Sequence, residues 1–211
     1  MRVRDRLDVN DKSVPSLETL IGDVMHRLFV AIELPTDIRN MLVGIGGGLP
    51  GARWMTADQL HLTLRFVGEV NGGEFKDIIE ALSRVASEPF ELTLQGTGHF
   101  PPRRRPETLW VGVEKNERLM QLHDRIDSAL FRIGIEHDQR KFAPHVAIAR
   151  LKDPHVPRVA RYLAEHALLE LPPFPVTEFV LYSSVLSSDG AHYEIEEVFP
   201  LHRNNKGVSG I

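Results

Sequence analysis

Residues 61–66 read His-Leu-Thr-Leu-Arg-Phe, and residues 145–150 read His-Val-Ala-Ile-Ala-Arg. In both stretches a histidine is followed by apolar residues at alternate positions, the pattern of a half-buried β-strand. One such strand lies in each half of this 211-residue chain. The two stretches therefore predict an internally repeated architecture, and they decide how the rest of the sequence is interpreted.

The alternation also predicts which side chains share a face in the first strand. His61, Thr63 and Arg65 are expected to point one way. The opposite face is expected to enter a core with three apolar side chains, Leu62, Leu64 and Phe66.

In the second strand His145, Ala147 and Ala149 are expected to share a face, with Val146 and Ile148 buried. Arg150 falls on the face opposite His145 unless the strand ends or twists there.

Outward from these two strands, short apolar runs alternate with segments of helical period. Strands are predicted at 27–34, 53–55, 61–67, 91–94, 108–113, 146–151, 176–185 and 193–198. Helices are predicted at 36–43, 72–86, 116–133 and 156–169. The last two strands are joined by Asp189-Gly190, a strong hairpin signal. The order predicts an α+β fold with two pseudo-symmetric lobes, each an antiparallel sheet with flanking helices, around a central cleft.

The chain is expected to divide into three parts. Residues 1–24 are charged and read as an N-terminal extension, with Met25 as an alternative start. Residues 25–203 form the two-lobed domain, and residues 204–211 form a tail.

Composition restricts the chemistry and the partners. The chain has no cysteine, which excludes thiolate metal sites and cysteine nucleophiles. The absence of disulfides fits a cytoplasmic location. No apolar run approaches the roughly 18 residues of a membrane span. The net charge of −4 argues against a long basic groove, so a nucleic acid substrate is expected to be held at one end.

The chemistry is expected at the two histidines. Imidazoles on polar strand faces can exchange protons near neutral pH, and two of them across a cleft can act on opposite sides of one phosphorus. One removes a proton from water while the other protonates the leaving ribose oxygen. Thr63 and Arg150 can hold the phosphate oxygens. No metal or other cofactor is expected.

The two motifs resemble the paired His-x-Thr-x motifs of the two-histidine phosphoesterase superfamily, and in particular the bacterial RNA 2',3'-cyclic phosphodiesterases, formerly called 2'-5' RNA ligases. The resemblance runs from about residue 25 to 200 and includes RLFVAIELP, GHFPPRRRPETLWVGV and KFAPHVAIARL. It implies hydrolysis of RNA 2',3'-cyclic phosphate ends to a 2'-phosphate. His61 is expected as proton donor and His145 as proton acceptor, although the pseudo-symmetry allows the reverse.

Ala147 departs from the family pattern, which has Thr or Ser at that position. The departure keeps open the alternative of a catalytically weakened protein that binds RNA ends. A further alternative is 2'-5' RNA ligation as the reverse reaction, which the same site could catalyse near equilibrium. RNA ends or small cyclic nucleotides are the expected substrates, and a monomer is expected.

Other candidate sites carry weaker signals. His123-Asp124 and His137-Asp138 are typical of a class of metal-dependent phosphohydrolases. Those enzymes have an all-helical fold, and the strands predicted for this chain argue against that fold. The basic run 103–105 is equally consistent with RNA contact and with a solvated loop. Trp54, Phe100 and Trp110 could stack on a base or pack in the core.

Overall fold

The computed structural model describes residues 25–101, 105–187 and 190–202. The extension 1–24, the tail 204–211 and most of the basic run 103–105 lie outside the described residues. The strands are β1 His26–Glu33, β2 Ala52–Trp54, β3 His61–Val70, β4 Phe90–Leu92, β5 Leu94–Phe100, β6 Thr108–Val113, β7 His145–Leu151, β8 Phe174–Val176, β9 Glu178–Ser187 and β10 Gly190–Pro200. The helices are α1 Thr36–Gly44, α2 Gly72–Ser83, α3 Glu117–Arg132 and α4 Val156–Glu165.

Eight of these strands form one sheet in the order β10-β9-β1-β3-β7-β6-β5, with β2 added to β7. All of the pairings are antiparallel, and β3 meets β7 at a single pair, Leu62 with Val146. That pair divides the sheet into a first lobe (β10, β9, β1, β3) and a second lobe (β7, β6, β5, β2). The predicted α+β fold with antiparallel sheets and flanking helices is confirmed.

The lobes are not the two halves of the chain. β2 precedes the first histidine strand but pairs with β7 in the second lobe, whereas the C-terminal hairpin β9–β10 pairs with β1 in the first. Two further short strands, β4 and β8, pair with each other outside the main sheet. The exchange of strands ties the lobes together, since each is completed by a segment from the other end of the chain.

Helices cover one face of the sheet. α2 and α3 pack together beneath the first lobe, with α2 against β10 and α3 against β3. α4 packs on the second lobe, where Tyr162 contacts Trp54 and donates a hydrogen bond to the Ile45 carbonyl at 3.0 Å. Asn71 and Asn116 cap α2 and α3 by accepting backbone N–H bonds. Because these helices bury the apolar strand face, the histidine face is left for chemistry.

A β-bulge in β3 reverses the predicted alternation. Thr63 pairs with Ala31 and Arg65 with Val30, so Leu64 is an extra residue without a partner. Arg65 therefore points to the helix side, where it is 6% exposed and its Nε donates to Asp127 at 2.7 Å. The prediction of Arg65 on the His61 face was wrong for this reason.

Phe66 is the second residue that this bulge redirects. It pairs with Phe29 on the histidine face and is 52% exposed. The prediction that Phe66 enters the core was wrong, because the extra residue moves it to the opposite face.

A matching bulge in β7 places Arg150. Trp110 pairs with Ala147 and Leu109 with Ala149, so Ile148 is the extra residue. Arg150 then pairs with Thr108 on the His145 face. Both bulges fall at the fourth position of their motifs. The two histidine strands therefore resemble each other in their β-bulges as well as in their sequences.

Within the described ranges, no helix is long and apolar enough to cross a membrane.

Candidate active site

The candidate site surrounds the single pair that joins the lobes. Continuing the antiparallel register by one residue on either side of Leu62–Val146 sets His61 opposite Ala147 and Thr63 opposite His145. These four positions share one face of the sheet, because their neighbours Leu62 and Val146 are buried in the core on the other. The fold thus brings together the two histidines and the single motif hydroxyl.

His145 lies in a half-buried setting next to two aromatic rings. Phe100 meets it edge-on at 4.9 Å between ring centroids, and Trp110 lies at 6.3 Å. Its Nδ1 is 2.7 Å from the carbonyl oxygen of Ala143. A carbonyl only accepts, so Nδ1 carries the proton and Nε2 of the neutral ring is left as an acceptor.

Burial lowers the pKa of His145 below its usual value, and the positive charge of Arg150 lowers it further. The hydrogen bond to the Ala143 carbonyl acts in the opposite direction. The ring is therefore neutral at pH 7, the state that a proton acceptor requires.

His61 is enclosed by aromatic rings of the first lobe. Phe29 lies 4.8 Å away, Tyr193 meets the ring edge-on at 5.0 Å, and Tyr182 lies at 6.2 Å. This burial lowers the pKa of His61 to about 4, with a hydrogen bond to the Gln59 backbone opposing it and the charge of His145 adding to it.

Arg150 is held on the same face as the histidines. Its Nη1 donates to Thr108 Oγ1 at 2.7 Å, which directs the guanidinium along the sheet. Directly opposite, across the β2–β7 pair, lies Arg53. Like charges on facing strand positions repel, so this pair creates positive potential suited to an anion.

Sequence reasoning missed Arg53, Phe29, Tyr182 and Tyr193 as neighbours of the site. Arg53 carries no motif of its own, and its place depends on the pairing of β2 with β7 across the lobes. Phe29 had a usable signal, since it lies in a clearly predicted strand and the period of two puts it on the face opposite Leu28 and Val30.

The remaining sequence candidates are distributed over both faces. Trp110 and Phe100 lie on the histidine face, whereas Trp54 packs against Tyr162 of α4. His137 bonds Asp127 of α3, away from the histidine pair. Among the described residues no group of three or more His, Asp or Glu side chains could hold a metal ion.

The fold and the site define a class of protein: a two-lobed α+β domain with paired histidine strands meeting at the lobe junction. A family model described as the 2'-5' RNA ligase superfamily matches residues 48–186. The chain therefore belongs to this superfamily, which confirms the family resemblance drawn from the motifs.

Individual relatives support the same family assignment. The chain is 33% identical over 177 residues to an RNA 2',3'-cyclic phosphodiesterase of Thermotoga maritima, covering 80% of this chain and 92% of that protein. It is 31% identical over 178 residues to a protein of the same name from Archaeoglobus fulgidus, covering 82% and 99%. Among solved structures it resembles Escherichia coli LigT complexed with 3'-AMP, with a TM-score of 0.68, 28% identity and coverage of 85% and 100%.

Proposed function

We propose that this protein hydrolyses the 2',3'-cyclic phosphate at RNA ends and leaves a 2'-phosphate, by metal-independent acid–base catalysis. The observation that carries the proposal is the placement of His61 and His145 on one face of facing strands at the lobe junction. The relatives named RNA 2',3'-cyclic phosphodiesterase share this chain's family over most of their length.

In the proposed reaction, Nε2 of His145 removes a proton from a water molecule as the water oxygen forms a bond to phosphorus. The bond between phosphorus and the ribose 3'-oxygen breaks on the opposite side. Protonated His61 donates its proton to that leaving oxygen, which becomes the 3'-hydroxyl. Thr63 and Arg150 donate hydrogen bonds to the non-bridging oxygens, whose negative charge grows in the transition state.

The low pKa of His61 bears directly on this assignment. At neutral pH the free protein holds His61 largely unprotonated. An arriving phosphate anion raises the pKa of both imidazoles, because it favours their charged forms. The proposed cycle therefore requires the bound phosphate to raise the pKa of His61 more than that of His145, so that His61 holds the proton and His145 stays neutral until water attacks.

The substrates proposed are RNA ends and small cyclic nucleotides. The net charge of −4 favours binding of one terminus over a long tract, and Arg53 with Arg150 supplies local positive charge at the site. That LigT of E. coli was crystallised with 3'-AMP supports a nucleotide-sized site. The three-part division of the chain, the monomeric state and the cytoplasmic location stay predictions of the sequence.

The experiment that tests the proposal is product analysis on a short RNA ending in 2',3'-cyclic phosphate, with EDTA present. Conversion to a 2'-phosphate supports it. Tight binding of the cyclic end without conversion would instead establish the weakened binding protein that Ala147 suggests. Ligation is tested with the cleaved ends as substrates, where joined 2'–5' product would show the reverse reaction.

A further inference from the structure

The hairpin β9–β10 curls over the histidine face. In the sheet, β1 and β9 separate β10 from β3, and a flat sheet with about 4.8 Å between strands would hold β10 and β3 roughly 14 Å apart. The Tyr193 ring of β10 nevertheless meets the His61 ring of β3 edge-on, at 5.0 Å between centroids. A β-bulge at Glu196, which is left without a partner in β9, bends β10 and accounts for this approach.

A side-chain hydrogen bond holds the hairpin in this position. Nε2 of Gln59, two residues before His61, donates to the Ala191 carbonyl of β10 at 3.1 Å. Oε1 of the same amide accepts from the backbone N–H of Thr56 at 3.3 Å. Because a carbonyl accepts and an N–H donates, one orientation of the amide satisfies both partners. Gln59 therefore joins the segment that leads into β3 to the start of β10.

Gln59 also bonds the imidazole through its backbone. This backbone accepts a hydrogen bond from the His61 ring, as the Ala143 carbonyl accepts one from His145. Gln59 and Ala143 each lie two residues before a histidine, so the two motifs orient their rings in the same way. The first lobe links the orientation of its histidine to the position of a hairpin, and the methyl group of Ala143 cannot make such a link in the second.

The charged and titratable groups near His61 come from five elements. They are Glu33 of β1, Asp58 of the short turn before β3, His145 and Arg150 of β7, Tyr182 of β9 and Tyr193 of β10. Glu33 is held in an ion pair with Arg39 at 2.9 Å. Burial is the largest cause of the low pKa of His61, and the charge of His145 is a smaller cause in the same direction. The pKa of His61 is therefore expected to depend chiefly on how completely the ring is covered.

We propose that Gln59 is a positioning residue, which holds the hairpin β9–β10 over His61 and thereby keeps this imidazole dry and directed at the leaving ribose oxygen; the catalytic part of this inference rests on the proposed function. In this role Gln59 acts through His61 and Tyr193 and not on the substrate. An imidazole kept out of water is the stronger acid once it is protonated, so it gives its proton to the ribose oxygen more readily. A hairpin that lifts would admit water to the ring and let the ring turn away.

The experiment removes the side-chain bond and measures His61 directly. Gln59→Met has nearly the size of glutamine and no charge, but it can neither donate to Ala191 nor accept from Thr56. NMR titration of the imidazole nitrogens, with the His61 signal assigned by its loss in His61→Gln, should show the pKa of His61 raised by roughly 1 to 2 pH units, since full burial can lower the pKa of a histidine by about 3–5. The pKa of His145, whose ring lies among residues of the other lobe, should not rise.

Tyr193 offers a matched pair of control variants. Tyr193→Phe keeps a ring over His61 and should keep the pKa of His61, whereas Tyr193→Leu uncovers the imidazole and should raise that pKa as Gln59→Met does. If Gln59 and Tyr193 act through one hairpin, the double variant should raise the pKa no further than the larger single change. Melting temperatures well above the assay temperature show that the variants fold. Gln59→Asn, which is too short to hold both partners, takes the place of Gln59→Met if that variant does not fold.

Kinetics test the catalytic part of the inference. In hydrolysis of 2',3'-cyclic AMP, Gln59→Met should lower kcat roughly 10- to 100-fold, because a displaced catalytic group is costly, and should leave KM nearly unchanged.

An unchanged pKa of His61 in Gln59→Met, an equal rise in the pKa of His145, or additive changes in the double variant overturns the inference. A raised pKa of His61 with an unchanged kcat overturns the catalytic role of Gln59. Failure of the wild-type protein to open the cyclic phosphate overturns the proposed function and that catalytic role with it, whereas the titration tests the hold of Gln59 on the hairpin without any turnover.

Discussion

Ala147 is the position where this site departs from its own symmetry, and Ala147→Thr is the most direct test of the phosphate contacts. Thr63 and Ala147 are equivalent in the two motifs and share the histidine face. A threonine hydroxyl at 147 would point toward the same phosphate that Thr63 is proposed to bind, from the other lobe. Ala147 is partly exposed, so the added atoms have space on the open face.

The size of the effect follows from one added hydrogen bond to an anionic oxygen. Bonds to charged groups contribute about 1.5–3 kcal/mol. If the bond forms fully only in the transition state, the rate constant rises roughly 10- to 100-fold. Threonine also suits a strand, so folding stability should not fall.

The matched control is Ala147→Val, which has the shape of threonine without the hydroxyl. The corresponding pair in the first motif is Thr63→Val and Thr63→Ala, each expected to lower kcat/KM by at least 10-fold, since the motif positions leave no second hydroxyl to share the load. The assay is steady-state hydrolysis of 2',3'-cyclic AMP by the four variants. A double variant, Thr63→Val with Ala147→Thr, should recover part of the loss.

Equal rates for Ala147→Thr and Ala147→Val would refute the reasoning, because the hydroxyl would then make no contribution. A rate drop in both would show that the site has no room for a branched side chain at this position.

Four further predictions concern the histidines, metals and the chain start. The reaction uses the form of the protein in which one imidazole is protonated, and the pKa of His61 is about 4 while that of His145 lies below 6.5. The value of kcat/KM should therefore decline as pH rises above about 6.5. A flat profile of kcat/KM between pH 6 and 9 would contradict this. His61→Ala and His145→Ala should each remove nearly all turnover, and the double variant should be no worse than either, as kinetics of the three proteins would show. Turnover should survive exhaustive chelation, and its loss with EDTA and rescue by a divalent ion would rule out the two-histidine mechanism. A variant beginning at Met25 should fold and keep its activity, whereas a large fall in its melting temperature would show that residues 1–24 pack on the domain.

Local patterns in the sequence were enough to identify the elements and the two histidines. The alternation in residues 61–66 and 145–150 predicted strands that begin at or next to the histidines, and the structure begins β3 and β7 at them. Helical periodicity located all four described helices, and Asp189-Gly190 predicted the hairpin that pairs β9 with β10. These features depend on neighbours within a few residues, which is why one sequence sufficed.

The strands 94–100 and 174–176 escaped sequence reasoning. The first contains two glycines, Gly96 and Gly98, and reads as a loop by composition. Gly98 is required because a side chain there would collide with the Trp110 ring of the neighbouring strand, a contact that only the sheet reveals. The second is three residues long and is stabilised by its pairing with β4.

The directions of the motif side chains were decided by the tertiary structure. Strict alternation assigned Arg65 to the site and Phe66 to the core, and it assigned Arg150 away from His145. The bulges at Leu64 and Ile148 reversed all three. A bulge exists only relative to a partner strand, here β1 and β6, so no pattern within β3 or β7 could disclose it.

The meeting of the two histidines was likewise a property of the folded chain. The sequence by itself determined that two similar strands each begin with a histidine. Only the fold set His61 and His145 on one face, because it pairs Leu62 with Val146. The fold also exchanges β2, β9 and β10 between the lobes and surrounds each histidine with aromatic rings. The physical reason is that burial, which lowers the pKa of both imidazoles, arises from residues distant in the chain and adjacent in space.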